Sequence, residues 1–125
     1  MQKRAGRENI AAGARKTVFL VLCCFAAVGD ARGQDLQAEL APMLKSACLK
    51  CHDAGTKTRL DFEQLGYDLS DPAVFRKWEL VFDRVHDGEM PPKGKARLPA
   101  GLRTRALASL GRELRKESLA RQGKE

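Results

Sequence analysis

Large aromatic side chains are scarce: this chain of 125 residues has one Trp, one Tyr and five Phe. A single domain of that size has few bulky groups for a core, and a buried planar ligand would supply much of the missing apolar surface. Without one, the fold is expected to be only marginally stable. No apolar run reaches the roughly 20 residues that cross a bilayer; the uncharged stretch Thr17 to Val28 is about a dozen long. There is no phosphate-cradling Walker loop, no Gly-rich dinucleotide fingerprint, no internal repeat and no low-complexity tract. Cysteine is present at four positions, yet these do not make a disulfide framework. Cys23 and Cys24 fall inside the apolar run, which leaves Cys48 and Cys51 as the pair beyond it.

Lys3, Arg4, Arg7, Arg15 and Lys16 precede the apolar run, the order of features in a secretory signal. Ala31 and Gly33 are small residues where a signal peptidase would read them if it cut before Gln34; a cut after Ala31 is the other option. Residues 1–33 are therefore expected to be a signal peptide, with an uncleaved N-terminal anchor as the alternative, and 34–125 a single domain. Leu22 before Cys23 disfavours a lipoprotein, and the lack of adjacent arginines disfavours the twin-arginine route. The expected location is outside the cytoplasm, periplasmic or in the cell envelope, with membrane association an option.

The formal charge of +7 is unevenly spread. Residues 1–33 carry six basic and two acidic residues, 34–92 seven and eleven, and 93–125 ten and three. The surface around the cysteine pair is thus expected to be acidic and the last third basic.

Cys48-Leu49-Lys50-Cys51-His52 is the stretch that carries chemistry. Two cysteines separated by two residues and followed at once by histidine is the spacing that attaches a c-type haem. Each thiol adds to one vinyl group, one helical turn sets both sulfurs along one porphyrin edge, and the next imidazole reaches the iron as proximal ligand. A bare Cys-x-x-Cys also fits a redox disulfide or half a zinc site, and His52 narrows that choice. Export agrees independently, since c-type haem is attached outside the cytoplasm.

Around the motif, periodicity predicts helices. Leu36, Leu40, Met43, Leu44 and Ala47 recur at helical spacing from Asp35 to Lys50, with Pro42 either kinking that helix or dividing off a lead-in. Residues 53–71 have no sustained period and read as a loop with Leu60, Phe62, Leu65 and Tyr67 turned inward. Tyr67 and Arg59 are candidates to meet a haem propionate, with a surface ring and a solvated arginine as the alternatives. Ser70-Asp71-Pro72 starts a helix and Gly88 stops it. Val74, Trp78, Val81, Phe82 and Val85 form its apolar face, and Trp78 is expected against or beside the haem, although core packing gives the same pattern. Pro99 opens a last helix running to about residue 120, with Leu102, Ala106, Leu107, Leu110 and Leu114 on one side. Arg103, Arg105, Arg112, Arg115 and Lys116 take much of the other, a solvated basic face or a dock for an acidic redox partner or an anionic membrane surface.

Between these helices stands Glu89-Met90-Pro91-Pro92-Lys93. A thioether is a neutral, soft ligand suited to haem iron opposite histidine, and two prolines hold the segment that presents it. Met90 is the expected distal ligand and His86 its competitor.

The combination of Cys48-Leu-Lys-Cys-His52, Leu60-Asp61-Phe62, Trp78 and Met90-Pro91-Pro92-Lys93 resembles the planctomycete-type cytochrome c domain over roughly residues 36–116. The resemblance implies an exported, all-α module of about three main helices packed around one covalently attached haem. Cys48 and Cys51 would be its attachment sites, His52 its proximal and Met90 its distal iron ligand. In that family the module is commonly joined to large domains, and this chain ends soon after it. The implied function is one-electron transfer to a redox partner protein, without a catalytic residue and without a nucleic-acid partner. The alternatives are a haem enzyme or sensor with displaceable Met90, a zinc site using Cys48, Cys51, His52 and His86, or a thiol-redox module. The zinc reading lacks a second ligand pair and the thiol-redox reading lacks a strand-helix-strand setting.

Overall fold

Asp71 starts a helix because its carboxylate takes two backbone N–H groups that the first turn leaves without partners: Ala73 at 2.7 Å and Val74 at 3.4 Å. Pro72 follows in the first helical position, where its missing N–H costs nothing. In the computed structural model, which describes residues 31–55 and 58–124, this is the second of three helices. They are α1, Ala31–Met43; α2, Pro72–His86; and α3, Ala100–Gln122. Among the described residues there is no strand, so the fold is all-α. The expected secretory signal lies mostly outside the described residues, and α1 begins three residues before the expected mature start at Gln34. No described helix is long and apolar enough to cross a membrane.

Pro42 neither divides α1 nor ends it. The helix runs through this residue, and the chain then continues as a π-helical turn, Leu44–Cys48, closed by Leu49 N–H donating to Leu44 O at 3.0 Å. Pro42 has no N–H to return to the preceding turn, and the wider turn follows directly after it. Each π bond encloses one more residue than an α bond, which resets the register as the chain reaches Cys48. Such turns are frequent at functional sites.

α1 and α2 each pack against α3. Leu36, Leu40, Met43 and Leu44 from the first helical stretch join Phe75, Trp78, Val81 and Val85 from α2 and Ala106, Leu110 and Leu114 from α3 in one core. Phe62, Leu65 and Leu69 complete it from the connecting loop; Leu60 and Tyr67 are half-buried, and Leu69 was not among the residues expected to turn inward. Trp78 is fully buried between Phe62 and Tyr67, with centroids 5.7 and 5.2 Å away, and its Nε1–H donates to Gly66 O at 2.8 Å. The indole is therefore the post around which the loop is wrapped.

Two arginines of α3 are not on a solvated face. Arg103 donates to Val85 O at 2.8 Å and His86 O at 2.7 Å, satisfying carbonyls at the end of α2. Arg121 donates to Leu69 O at 2.7 Å and lies 4.4 Å over the Phe75 ring. Ser109, a residue that no apolar pattern selects, is buried on the same helix and donates to Glu39 Oε2 at 3.4 Å.

Candidate functional site

The π turn delivers the cysteine pair. Cys51 N–H and His52 N–H both donate to Cys48 O at 3.1 Å, so the five residues of the motif close into a single tight turn. Cys48 is half-buried; its thiol donates weakly to Met43 O at 3.8 Å, and burial pushes its pKa up to about 11. It is a neutral thiol at any physiological pH. Cys51 is exposed, on the mouth of the same turn.

His52 is held in one tautomer. Its Nδ1 lies 3.1 Å from Leu60 O and 3.2 Å from Thr58 Oγ1. Thr58 Oγ1 itself donates to Leu60 O at 2.8 Å. A carbonyl oxygen only accepts, so Nδ1 carries the proton, and the lone pair of the neutral ring stands on Nε2. Tying one ring nitrogen to a backbone carbonyl is how proteins orient a metal-binding imidazole and raise its basicity. Phe62 fixes the ring further: its N–H donates to His52 O at 2.9 Å, and its ring meets the imidazole edge-on at 5.6 Å.

The facing wall is set by the way α2 ends. Gly88, at φ +75°, donates to Val85 O at 3.3 Å while Glu89 donates to Arg84 O at 3.0 Å, the paired bonds of a Schellman motif. Only glycine takes that φ without cost. Met90 N–H also donates to Arg84 O at 3.0 Å, so the position of Met90 follows from the helix terminus. The side chains of Arg84 and Glu89 pair across the same turn. Pro91 and Pro92 come next, the Met90–Pro91 peptide being cis, and Lys95 N–H donates to Pro92 O at 3.1 Å in a turn with Gly94 at φ +77°. That is the position a type II turn reserves for glycine.

Between these walls lies a cavity of about 470 Å³. Ala47, Cys48, Cys51, His52, Thr58 and Phe62 form one side, and Met90, Pro91, Pro92, Lys95 and Ala96 the other. Leu80, Val81 and Arg84 of α2 connect them. The lining is overwhelmingly apolar, and the volume falls within the roughly 300–1,000 Å³ of small-molecule and cofactor sites. A second cavity of about 490 Å³, by Tyr67, Asp68, Glu113 and Glu117, is polar and touches none of the motif residues.

Cys48, Cys51 and His52 thus line one cavity with Met90, which is distant from them in sequence. His86 does not: it stacks on Phe82 at 5.7 Å, and its Nδ1 lies 3.0 Å from Asp87 Oδ1 in the open. Trp78 stands one layer back, behind Phe62, and Tyr67 and Arg59 are also off the lining. Among the described residues, no three His, Cys, Asp or Glu side chains are grouped to hold a metal ion, so the zinc set does not assemble. Thr58, Leu80, Arg84, Lys95 and Ala96 are the lining residues that the sequence reading missed. Leu80 had a signal: it is an apolar residue outside the main stripe of α2, and it stands exposed along the cavity instead of in the core.

The donor set fits haem c: two thiols on one turn, an imidazole with its lone pair on Nε2, a thioether across an apolar gap, and no carboxylate among the lining residues. No family model matches this chain, and no curated protein or solved structure matches it.

Proposed function

We propose that this protein is an exported mono-haem c-type cytochrome that carries single electrons between redox proteins. Cys48 and Cys51 would hold the porphyrin through thioethers, with His52 as the proximal and Met90 as the distal residue offered to its iron. When bound, the haem supplies a reversible one-electron change at iron, and the chain supplies everything else. Cys48 anchors from the buried side and Cys51 from the mouth. Leu60 O keeps Nδ1 protonated so that His52 donates through Nε2. The end of α2 carries Met90 toward the facing side, and Phe62, Leu80 and Val81 line the cavity with apolar surface that would shield a bound porphyrin from water. With His52 and Met90 both ligating, the iron would keep no site for substrate, which favours electron transfer over oxygen or peroxide chemistry.

The observation that carries this reading is the single apolar cavity that gathers all four residues. Intact-mass measurement of the exported protein after denaturation tests it. A mass higher by one haem supports the reading; the bare polypeptide mass overturns it. A second reading, a haem enzyme or sensor, is favoured by one observation: Met90 is 38 % exposed, at the rim of the cavity. Rapid carbon monoxide binding by the reduced protein without loss of fold would select it.

Charge supports a partner of opposite sign. Arg105 and Arg115 on α3 form no ion pair with another described residue, whereas Arg112 and Lys116 pair with Glu113. An acidic redox partner or an anionic membrane surface fits that face, weakly enough to be abolished by salt.

A further inference from the structure

Haem carries two carboxylates, and an apolar cavity must find cations for them or leave them in water. The candidates visible in sequence were Arg59 and Tyr67, and neither lines the cavity; Tyr67 belongs to the polar cavity on the other side of Trp78. Two cations do line it, Arg84 from the last turn of α2 and Lys95 from the turn after Pro92. No Asp or Glu is among the lining residues to compete within the cavity.

Resting on the haem reading above, we propose that Arg84 and Lys95 form the carboxylate-binding edge of this cavity and receive the propionates. Both are fixed by local backbone chemistry. Arg84 O accepts from Glu89 and Met90 at 3.0 Å, so its side chain leaves the helix where the distal segment begins. Lys95 is set by the Pro92–Lys95 turn. Arg84 already pairs with Glu89, with about half of each side chain in water. Such exposed pairs are weak, and a guanidinium has five donors in a fork, enough to hold Glu89 and take a propionate as well. A carboxylate at the cavity edge, partly withdrawn from water, makes the stronger partner of the two. The same arrangement gives Arg84 two connections to the iron site: its carbonyl sets Met90, and its guanidinium sets the propionate.

The test uses holoprotein with covalently attached haem, comparing wild type with Arg84→Gln, Lys95→Gln, Glu89→Gln and Arg59→Gln. Resonance Raman spectra report the propionate bending bands, which respond to hydrogen bonds at the carboxylate and not to stability. Arg84→Gln and Lys95→Gln are expected to shift these bands down and to lower the reduction potential, as loss of a neighbouring positive charge favours the ferric state. Glu89→Gln is expected to shift them up, because Arg84 is released to the propionate. Arg59→Gln removes the same charge from a site off the lining and is expected to leave the bands in place. Lys95→Gln alters an exposed turn residue, so the test survives misfolding of the Arg84 variant. Bands unmoved by Lys95→Gln and by every folded Arg84 variant, or moved equally by Arg59→Gln, would overturn the proposal. Wild-type protein without covalent haem would instead overturn the reading on which it rests, before any variant is compared.

Discussion

The two walls of the cavity are held by different means. On the Cys48 side the side chains themselves are tied: His52 Nδ1 to Leu60 O and Thr58, the imidazole against Phe62, and Cys48 half-buried with its thiol on Met43 O. On the Met90 side it is the backbone that is tied, through two N–H groups on Arg84 O, while the thioether stands partly in water. The first wall is organised for a ligand before it arrives; the second offers a position and leaves the side chain adjustable. In the proposed cytochrome this would separate a proximal ligand that is oriented in advance from a distal one that settles as the haem is bound.

Substitutions should therefore separate the walls. His52→Ala is expected to have the largest effect, because it removes the ligand together with its ring contact to Phe62 and its hydrogen bond to Leu60 O. Recovered holoprotein should fall by more than the roughly 10–100-fold that loss of a mere supporting partner costs, as measured by haem-stained yield. Met90→Ala should leave attachment within about twofold of wild type by the same assay, since it touches none of the bonds of the first wall. Its reduced form should bind carbon monoxide readily and its ferric form should become high-spin. Equal losses in the two variants would erase the distinction between the walls.

A smaller effect sharpens the same contrast from the backbone. Gly88→Ala places a side chain at φ +75°, costing about 1–2 kcal/mol. The strain falls on the turn that carries Met90. Thermal unfolding should move down accordingly, with a partial loss of the iron-sulfur absorption and no loss of thioether-linked mass.

The smallest effect lies outside both walls. Asp68 is held below the usual carboxylate range by the Ser70 hydroxyl, then by the Ser70 backbone N–H. A depressed native pKa means that its stabilisation is present above the unfolded value of about 3.9 and is lost as pH falls through the native one. Asp68→Asn should thus narrow the stability difference between neutral and acid pH, read by urea unfolding, with the cavity spectrum unaltered.

Sequence made the helices legible because their ends are local chemistry. Asp71 with Pro72, and Gly88, act within a few residues of themselves, and the apolar positions of α1 and most of those of α2 follow one period. Phe75 is buried outside the expected face, and Val74 and Phe82 are only half-buried. The cysteine motif was legible for the same reason. The contributions that pass across the fold were not. Arg103 looks like any solvated arginine until the end of α2 is laid beside it, and Ser109 has no apolar signature that would bury it. Trp78 was legible as core but not as a residue standing behind Phe62, because one helix pattern does not say which loop side chain intervenes. The choice between His86 and Met90 depended on the direction of the last turn of α2, which stacks His86 on Phe82 and turns Met90 to the cavity. The π turn before Cys48 changes register where the sequence shows only Pro42.

The central claim is that one cavity grips haem iron from both sides, by His52 and Met90. The most direct measurement is the ferric visible spectrum of the purified holoprotein beside that of Met90→Ala. A low-spin spectrum with a weak far-red iron-sulfur band in the wild type, absent from the variant, is expected. A high-spin wild type, or a far-red band that survives replacement of Met90, would contradict the claim.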